Sequence, residues 1–599
     1  MYEKFTQIDG AHPWRDVSPE GFIDYPVRYR KGGRVIYFNF PLARELGLVP
    51  KSHTRRMTKK LEQVILKTFS LQILNEYDWA NRRSFPKDGY EDRLYMATRY
   101  LQTQHDNKRG ATSGDGRSIW NGCIKNRVKT YDISSCGTGV TILSPGAQQS
   151  DRPIPTGSHE LGYASGLADL DEMLGSAVMS EIFYREGYPT ERCLTVIEYP
   201  DKTGLGVRTA PNLIRPAHLF RYLKSNQYSE LKRSYDYFLR RQDMNGVYEL
   251  PKTGPGRYRR ALEYLVKTHA RLAAVMEEEY IFNWLAWDGD NMLASGAILD
   301  YGSIRQFAAK HNKYRYEDVD RYSTTLTEQR YWARKIIQSF IQMTDYIVNK
   351  EKRPLEDFDK HEILELFDQR FEYERNRRML WRIGFTPAQT ERLLKNHLQE
   401  VGDFRKVLSY FEHIKTAAGE EAVPDGVDHP PVFLVRHILR LLPVFVLSHY
   451  KAGQWPVMDE KDFCKIMAAS YAEEEDLVLN DYRRRKALEF QQCYSRLIFA
   501  AGRNTRTIIE RIVSRSDVIN HQFRKTGDGL TWIINEAIKV RRKIDVNELQ
   551  AAIERFIQSQ VLVPGKWHPI RDRELHGRTL KSQLLQRMQE NLQIYSEKI

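Results

Sequence analysis

The stretch from Tyr280 to Gly302 restricts the fold more than any other: Tyr-Ile-Phe-Asn-Trp-Leu-Ala-Trp-Asp-Gly-Asp-Asn-Met-Leu-Ala-Ser-Gly-Ala-Ile-Leu-Asp-Tyr-Gly. It is an apolar run, a tight polar turn at Asp288, Gly289, Asp290 and Asn291, and a second apolar run that stops at Asp300 and Gly302. Two such runs around an Asp-Gly turn read as one short hairpin. Its two ends offer hard oxygen ligands, Asn291 beside the turn and Asp300 at the far end. Magnesium and manganese prefer such donors, and a bound nucleotide completes their shell with phosphate oxygens and water. A surface hairpin with an Asp-Gly turn has the same local pattern, so a site needs agreement from elsewhere in the chain.

Several other stretches carry residues suited to a polyphosphate. In Lys108 to Trp120, Gly114 and Gly116 allow backbone amides to approach a phosphate, and Arg117 adds a planar charged fork. Val207 to Arg215 reads Val-Arg-Thr-Ala-Pro-Asn-Leu-Ile-Arg, with Arg208 and Arg215 spaced to clamp one polyphosphate from a strand end and a helix start. No Gly-x4-Gly-Lys-Ser/Thr occurs, so a standard P-loop enzyme is not expected. His159-Glu160-Leu161-Gly162-Tyr163 lacks the second histidine of a zincin helix, and no Gly-x-Ser-x-Gly elbow anchors a hydrolase triad.

Taken in order, these stretches resemble the selenoprotein O family of kinase-fold protein adenylyltransferases. The resemblance includes Ala-Arg-Glu-Leu-Gly-Leu up to Leu48, Gly-Asp-Gly-Arg at 114 to 117, and Ala164 to Leu194. It continues through Arg208-Thr-Ala-Pro-x-x-Ile-Arg215 and the Asp290-Asn291 pair ahead of Asp300-Tyr301-Gly302. Kinases place their catalytic aspartate a few residues before the metal-binding asparagine. Here the two are adjacent. The resemblance implies an α+β, bilobal protein-kinase-like fold: a β-containing N-lobe, a helical C-lobe, and an extra all-helical C-terminal region. The corresponding boundaries are an N-terminal segment at 1–110, the N-lobe at 111–210, the C-lobe at 211–410 and the helical remainder at 411–599. It also implies transfer of AMP from ATP to a protein side-chain hydroxyl. Asp290 would be the base, Asn291 and Asp300 the ligands for Mg2+ or Mn2+, and Gly114, Gly116, Arg117, Gly166, Arg208 and Arg215 the nucleotide contacts.

The sequence departs from that family at three places. The lysine that grips phosphate corresponds to Cys136, its glutamate partner to Ser176, and a nucleotide-contacting aspartate to Ser165. Loss of both ion-pair partners leaves a neutral site that still packs, whereas loss of one would strand a charge. Lys125 or Lys129 is a candidate substitute. These departures keep open a catalytically impaired, nucleotide-binding pseudokinase.

Composition bounds the rest. The 599 residues suffice for three or four units of ordinary size. A 41% hydrophobic and 12% aromatic content supports packed cores. The net charge of +14 is mild for this length and suits ATP, an acidic protein or RNA alike. Five scattered cysteines, Cys123, Cys136, Cys193, Cys464 and Cys493, give neither a disulfide framework nor a zinc site. With no secretory signal pattern at the start, a cytoplasmic location is expected. Arg436, His437, Arg440 and Pro443 interrupt the apolar segment Val432 to Tyr450, which reads as a buried helix and not a membrane span.

Helical periodicity covers Leu219 to Phe238, Tyr258 to Tyr280, Thr327 to Asn349 and nearly everything after Glu356, with a Pro-rich acidic loop at Ala418 to Pro431. Basic runs at Arg483 to Lys486 and Arg541 to Lys543 leave a helical RNA- or protein-binding scaffold as a third reading. Nucleic acid is not the expected partner, because no aromatic interleaving or RNA module accompanies them.

Overall fold

The computed structural model describes residues 2–81, 90–102, 108–158, 165–283, 289–301, 304–313, 325–417, 429–451, 454–521 and 527–595. Asp288, Gly302, His159 to Tyr163, the Asp320-Arg321-Tyr322-Ser323 segment and most of the Ala418 to Pro431 loop lie outside them. The molecule is a mixed α+β protein built on one large antiparallel sheet. Its strands are β1 (Phe22–Tyr29), β2 (Arg34–Phe38), β3 (Leu71–Ile73), β4 (Tyr90–Thr98), β5 (Ser118–Asn126), β6 (Lys129–Cys136), β7 (Ala168–Asp169), β8 (Arg192–Glu198) and β9 (Thr203–Ala210). Their order is β2-β8-β9-β6-β5-β4-β1-β3, with β7 added beside β9.

Alternation along the strands feeds two cores, which is why so much of the sheet is apolar. Tyr131 and Ile133 of β6 join Leu205 and Val207 of β9 on one face. That face packs against α2 (Phe40–Glu45) and α3 (Lys59–Phe69), which follow the short α1 (Trp14–Val17). Asn39 caps α2, and the chain leaves that helix at Gly47 with φ +73°. Trp120, Cys136 and Val196 face the opposite core, shared with α6 (Leu170–Glu186). Two short helices, α4 (Glu76–Ala80) and α5 (Pro145–Gln149), follow β3 and β6 in the chain.

Helix α6 is buried along most of its length, with Tyr184 its one exposed large side chain. One side lies on β8 and β9, and the other is covered by α18 (Gly527–Val540) and α19 (Val546–Gln560) from near the far end of the chain. Arg185 makes a bidentate contact to Glu554 at 2.8 Å, and Gln550 donates to the Phe38 carbonyl of β2. The helix ends at Gly187, whose φ of +89° is the left-handed conformation that glycine adopts without strain.

The expected helix from Leu219 to Phe238 is two helices, α7 (Pro216–Lys224) and α8 (Tyr228–Met244). Asn226, at φ +59°, turns the chain between them. Helix α9 (Pro255–Glu278) leads to the Tyr280 stretch, where the expected single hairpin is replaced by a nested pair. Strand β10 (Ile281–Asn283) pairs with β13 (Ile304–Gln306), and the second apolar run folds on itself as β11 (Met292–Leu293) against β12 (Ala297–Ile298). Both runs therefore find partners, but not each other. Period-two patterns specify strands and leave their pairing open.

Beyond these lie α10 (Leu326–Asn349), α11 (Glu362–Ile383), α12 (Pro387–Asn396), α13 (Leu398–Glu412), α14 (Val435–His449), α15 (Glu460–Met467), α16 (Asp481–Ala501) and α17 (Thr505–Ile519). Residues from Met379 to Ile512 share their own core. Expected to be buried, α14 is only half so: Ile438, Leu439 and Val446 face inward, while Leu441 and Val444 are exposed. A buried ionic junction ties this core to α9. Arg436 donates to Glu279 at 2.8 Å, Arg378 to the other oxygen of Glu279 at 2.7 Å, and Arg405 to Glu278 at 2.6 Å. Arg382 donates to the Tyr280 hydroxyl at 2.6 Å, and that hydroxyl donates to Glu412 at 2.5 Å. No described helix is long and apolar enough to cross a membrane.

Candidate functional site

Backbone hydrogen bonds bring the separated motifs to one junction between the sheet and the helices that follow it. The Ala217 amide donates to the Gly289 carbonyl at 3.0 Å, and Ala294 to Ile214 at 2.8 Å. These bonds set the β11–β12 ribbon against the segment that carries Arg215. On the other flank, Glu191 donates to Ile298 at 2.9 Å and Ile298 to Pro189 at 3.0 Å. The loop after β4 closes a third side through Leu101, which donates to Ala217 at 3.2 Å.

Arg215 is the strut of this junction. Its Nη1 donates to the Asp290 carbonyl at 2.5 Å, its Nη2 lies 3.7 Å from Asp115, and its guanidinium sits 4.4 Å from the centre of the Tyr100 ring. Asp115 is buried and fully committed on one oxygen, which accepts from the Thr98 amide at 3.0 Å, the Thr98 hydroxyl at 2.6 Å and Trp120 Nε1 at 3.1 Å. His218 Nε2 lies 2.9 Å from the same Thr98 hydroxyl, and its Nδ1 accepts from the Arg215 amide at 3.0 Å. That pattern assigns the proton to Nε2. Burial, together with Arg215 and Arg221 nearby, holds the ring well below the usual histidine range, so it stays neutral. Asp290 is 3% exposed, and Gln102 donates to its carboxylate at 3.4 Å.

A second set of charges continues the row. Arg208, on β9, has Glu191 as its one salt-bridge partner among the described residues, at 3.7 Å. At that distance its N–H donors are not committed to Glu191. Burial opposes its charge, but Glu191, Cys136, Asp300 and Asp115 together hold it above the ordinary arginine value. The Asp300 amide donates to Glu191 at 3.3 Å, and Asp300 itself has φ +65°. Burial pushes the Glu191 carboxyl up, opposed by Arg208. Arg117, just ahead of β5, makes a bidentate pair with Glu172 of α6 at 2.5 and 3.0 Å. Cys136 raises its pKa most, burial opposes, and Glu172 and Asp300 add to the rise.

No protein-family model and no curated protein matches the chain. The assignment of roles therefore rests on geometry and on the motifs themselves.

Asp290, Asp300, Arg117, Arg208 and Arg215 lie at this junction, with Asn291 adjoining Asp290 and partly buried. The three glycines are explained by internal packing. A Cβ on Gly114 would lie 2.1 Å from the Thr98 carbonyl oxygen, one on Gly116 2.8 Å from Ser144 Cα, and one on Gly166 1.9 Å from the Val140 nitrogen. Lys125 and Lys129 are exposed at the opposite end of the β5–β6 hairpin from Cys136. At about 3.3 Å per residue, Lys129 is about 23 Å along β6 from Cys136 and does not take the place of the missing lysine. Arg117 makes an ion pair with Glu172 of α6, one helical turn before Ser176. Glu172 and Glu191 lie inside the Ala164 to Leu194 stretch but were not singled out there, and His218 carried no sequence signal. Asp115 did, because it stands between the two glycines of Gly-Asp-Gly.

Among the described residues, no three His, Cys, Asp or Glu side chains form a ready-made metal cage. Asp300 and Asn291 still fit magnesium or manganese chemically, since Mg2+ is often held by one or two protein oxygens with phosphates and water. Asp115, Glu172, Glu191, Asp290 and Asp300 also outnumber Arg117, Arg208 and Arg215 here, an excess of negative charge that a divalent cation would offset.

Proposed function

We propose that this chain is a metal-dependent nucleotidyltransferase of the selenoprotein O type, moving AMP from ATP to a hydroxyl of a protein acceptor. The observation that carries this reading is the convergence of Arg117, Arg208, Arg215, Asp290 and Asp300, drawn from three separate stretches of sequence, at one junction between a β-sheet region and a helical region. A sheet with α6 inserted between β7 and β8, followed by a mainly helical region, agrees with a small lobe followed by a helical lobe. Protein kinases pair a strand lysine with a glutamate of the adjoining helix. Arg117 and Glu172 are a pair of the same kind.

In this reading the acceptor oxygen attacks the α-phosphorus, the bond from that phosphorus to the bridging oxygen breaks, and pyrophosphate leaves. Asp290 takes the hydroxyl proton as the new bond forms, and its orientation depends on Arg215, which holds its backbone carbonyl. Arg208, with donors to spare, meets phosphate oxygens, and His218 stays neutral behind Arg215. Asp300 and Asn291 would hold Mg2+ or Mn2+, which supplies neutralisation of phosphate charge.

The test is incubation with α-labelled and γ-labelled ATP in magnesium or manganese. Covalent α-label that disappears in Asp300→Ala supports the reading. Undiminished label in that variant refutes the assignment of Asp300. A second reading is a nucleotide-binding protein without transfer activity. Cys136 and Ser176 favour it, as does the bidentate engagement of Arg117 by Glu172, and it requires metal-dependent ATP binding with no covalent label of either kind.

A further inference from the structure

A second charged concavity lies away from this junction, between α8, the start of α9 and the end of α1. Its volume is about 610 Å³. Lys232, Arg233 and Arg240 line it from α8, Lys252 and Arg257 from the turn into α9, and Asp16 and Asp236 are its carboxylates. Five cations thus face two anions. Asp236 is already engaged, accepting from Lys232 at 2.6 Å and from the Tyr258 hydroxyl at 2.8 Å. Arg233 has Glu230 within 3.6 Å, while Arg240 and Lys252 are exposed and have no salt-bridge partner among the described residues.

Arg257 decides what this concavity is for. It is 9% exposed and lines the cavity, yet no carboxylate among the described residues pairs with it. Its one described side-chain hydrogen bond runs from Nη1 to the Pro251 carbonyl at 3.1 Å. A guanidinium this buried ordinarily has an anion beside it, because the desolvation cost otherwise goes unmet. The backbone adds to the effect. Gly254 precedes the 24-residue helix α9 without a side-chain cap, and a Cβ on Gly254 or Gly256 would meet nothing within 4 Å. Unlike Gly114 or Gly166, Gly256 is therefore not required by contact with the rest of the protein. Gly254, which lines the cavity, leaves the positive end of the helix open to it.

We infer that this concavity binds a phosphate-bearing polyanion, with Arg257 as the buried anchor and Arg240 and Lys252 as outer contacts. Planar guanidinium groups recognise phosphate oxygens two at a time, and the lysine supplies a mobile charge at the rim. The site is independent of the nucleotide reading. Hairpin residue Gly296 packs on Thr268, and the helical rise puts about 16 Å of α9 between that residue and Arg257. A soluble polyphosphate and a polyphosphorylated lipid headgroup present the same chemistry.

The test is titration of the full chain with inorganic tripolyphosphate by calorimetry. Arg240→Gln/Lys252→Gln, both exposed, is expected to weaken binding at least about tenfold, as is Arg257→Gln. Arg484→Gln/Arg485→Gln, which removes equal charge from α16, is expected to retain wild-type affinity. A parallel arm uses vesicles containing phosphatidylinositol bisphosphate. Vesicle binding lost in Arg240→Gln/Lys252→Gln assigns the phosphates to a lipid, and tripolyphosphate binding alone assigns them to a soluble ligand. Absence of both, or binding to either that Arg240→Gln/Lys252→Gln leaves unchanged, overturns the inference.

Discussion

Whether Glu172 positions Arg117 for a nucleotide or withholds it can be decided by a double-mutant cycle. The perturbations are Arg117→Met, Glu172→Gln and the two combined, with ATP affinity in manganese as the readout. The pair makes two charge-assisted bonds at 2.5 and 3.0 Å, with side-chain exposures of 24% and 28%. Buried bonds of this kind contribute about 1.5–3 kcal/mol. Partial exposure lowers that, so about 1–2 kcal/mol of coupling remains, or about 5- to 30-fold in affinity. If Glu172 orients Arg117 towards phosphate, Glu172→Gln weakens ATP binding by that factor and adds little once Arg117 is gone. If Glu172 occupies Arg117 instead, Glu172→Gln tightens binding. Coupling below about 0.3 kcal/mol would refute the idea that this pair stands in for the missing lysine and glutamate.

Three further outcomes are expected. Asp132 is fully buried and accepts from Arg241 at 2.7 Å, His12 at 3.0 Å and the Leu213 amide at 2.9 Å. Burial alone would raise its pKa, but Arg241 and His12 outweigh it and bring the value to about 2. Its depressed folded-state pKa means that its contribution is intact above about pH 4 and is lost as the pH falls towards 2. In acid titration followed by tryptophan fluorescence, Asp132→Asn should lose that part of the wild-type dependence, and an identical profile would contradict it. Glu279→Gln leaves Arg436 and Arg378 buried without their shared counter-ion, at a cost of about 3–5 kcal/mol seen as a lowered melting transition. Glu279→Met combined with Arg436→Met and Arg378→Met should recover much of that loss, and no recovery would argue against a charge origin. Gly166→Ala at φ +84°, with its Cβ on the Val140 nitrogen, is expected to destabilise by more than about 2 kcal/mol in chemical denaturation, while Gly187→Ala, where a Cβ meets nothing, costs only its backbone strain.

Residue chemistry and local periodicity made much of this protein legible. Oxygen donors at Asp290, Asn291 and Asp300, the paired arginines around Ala210-Pro211, and the Gly-Asp-Gly-Arg turn are short-range features, visible wherever the chain later puts them. The helices after Glu356 were legible because apolar residues recur at intervals of three and four. Partnership was not. Nothing in the Tyr280 stretch says that Ile281 pairs with Gln306 and not with its nearer neighbours, because alternation specifies a strand and not its mate. Glu172 reads as one more acidic residue in the first turn of a helix until the fold sets it against Arg117. Glu554 reads as a surface glutamate until α19 returns to cover α6 and meet Arg185. Hydrogen bonding and side-chain type act over a few residues and are written locally. Which charge meets which depends on burying apolar faces far apart in the chain, and only the packed molecule decides that.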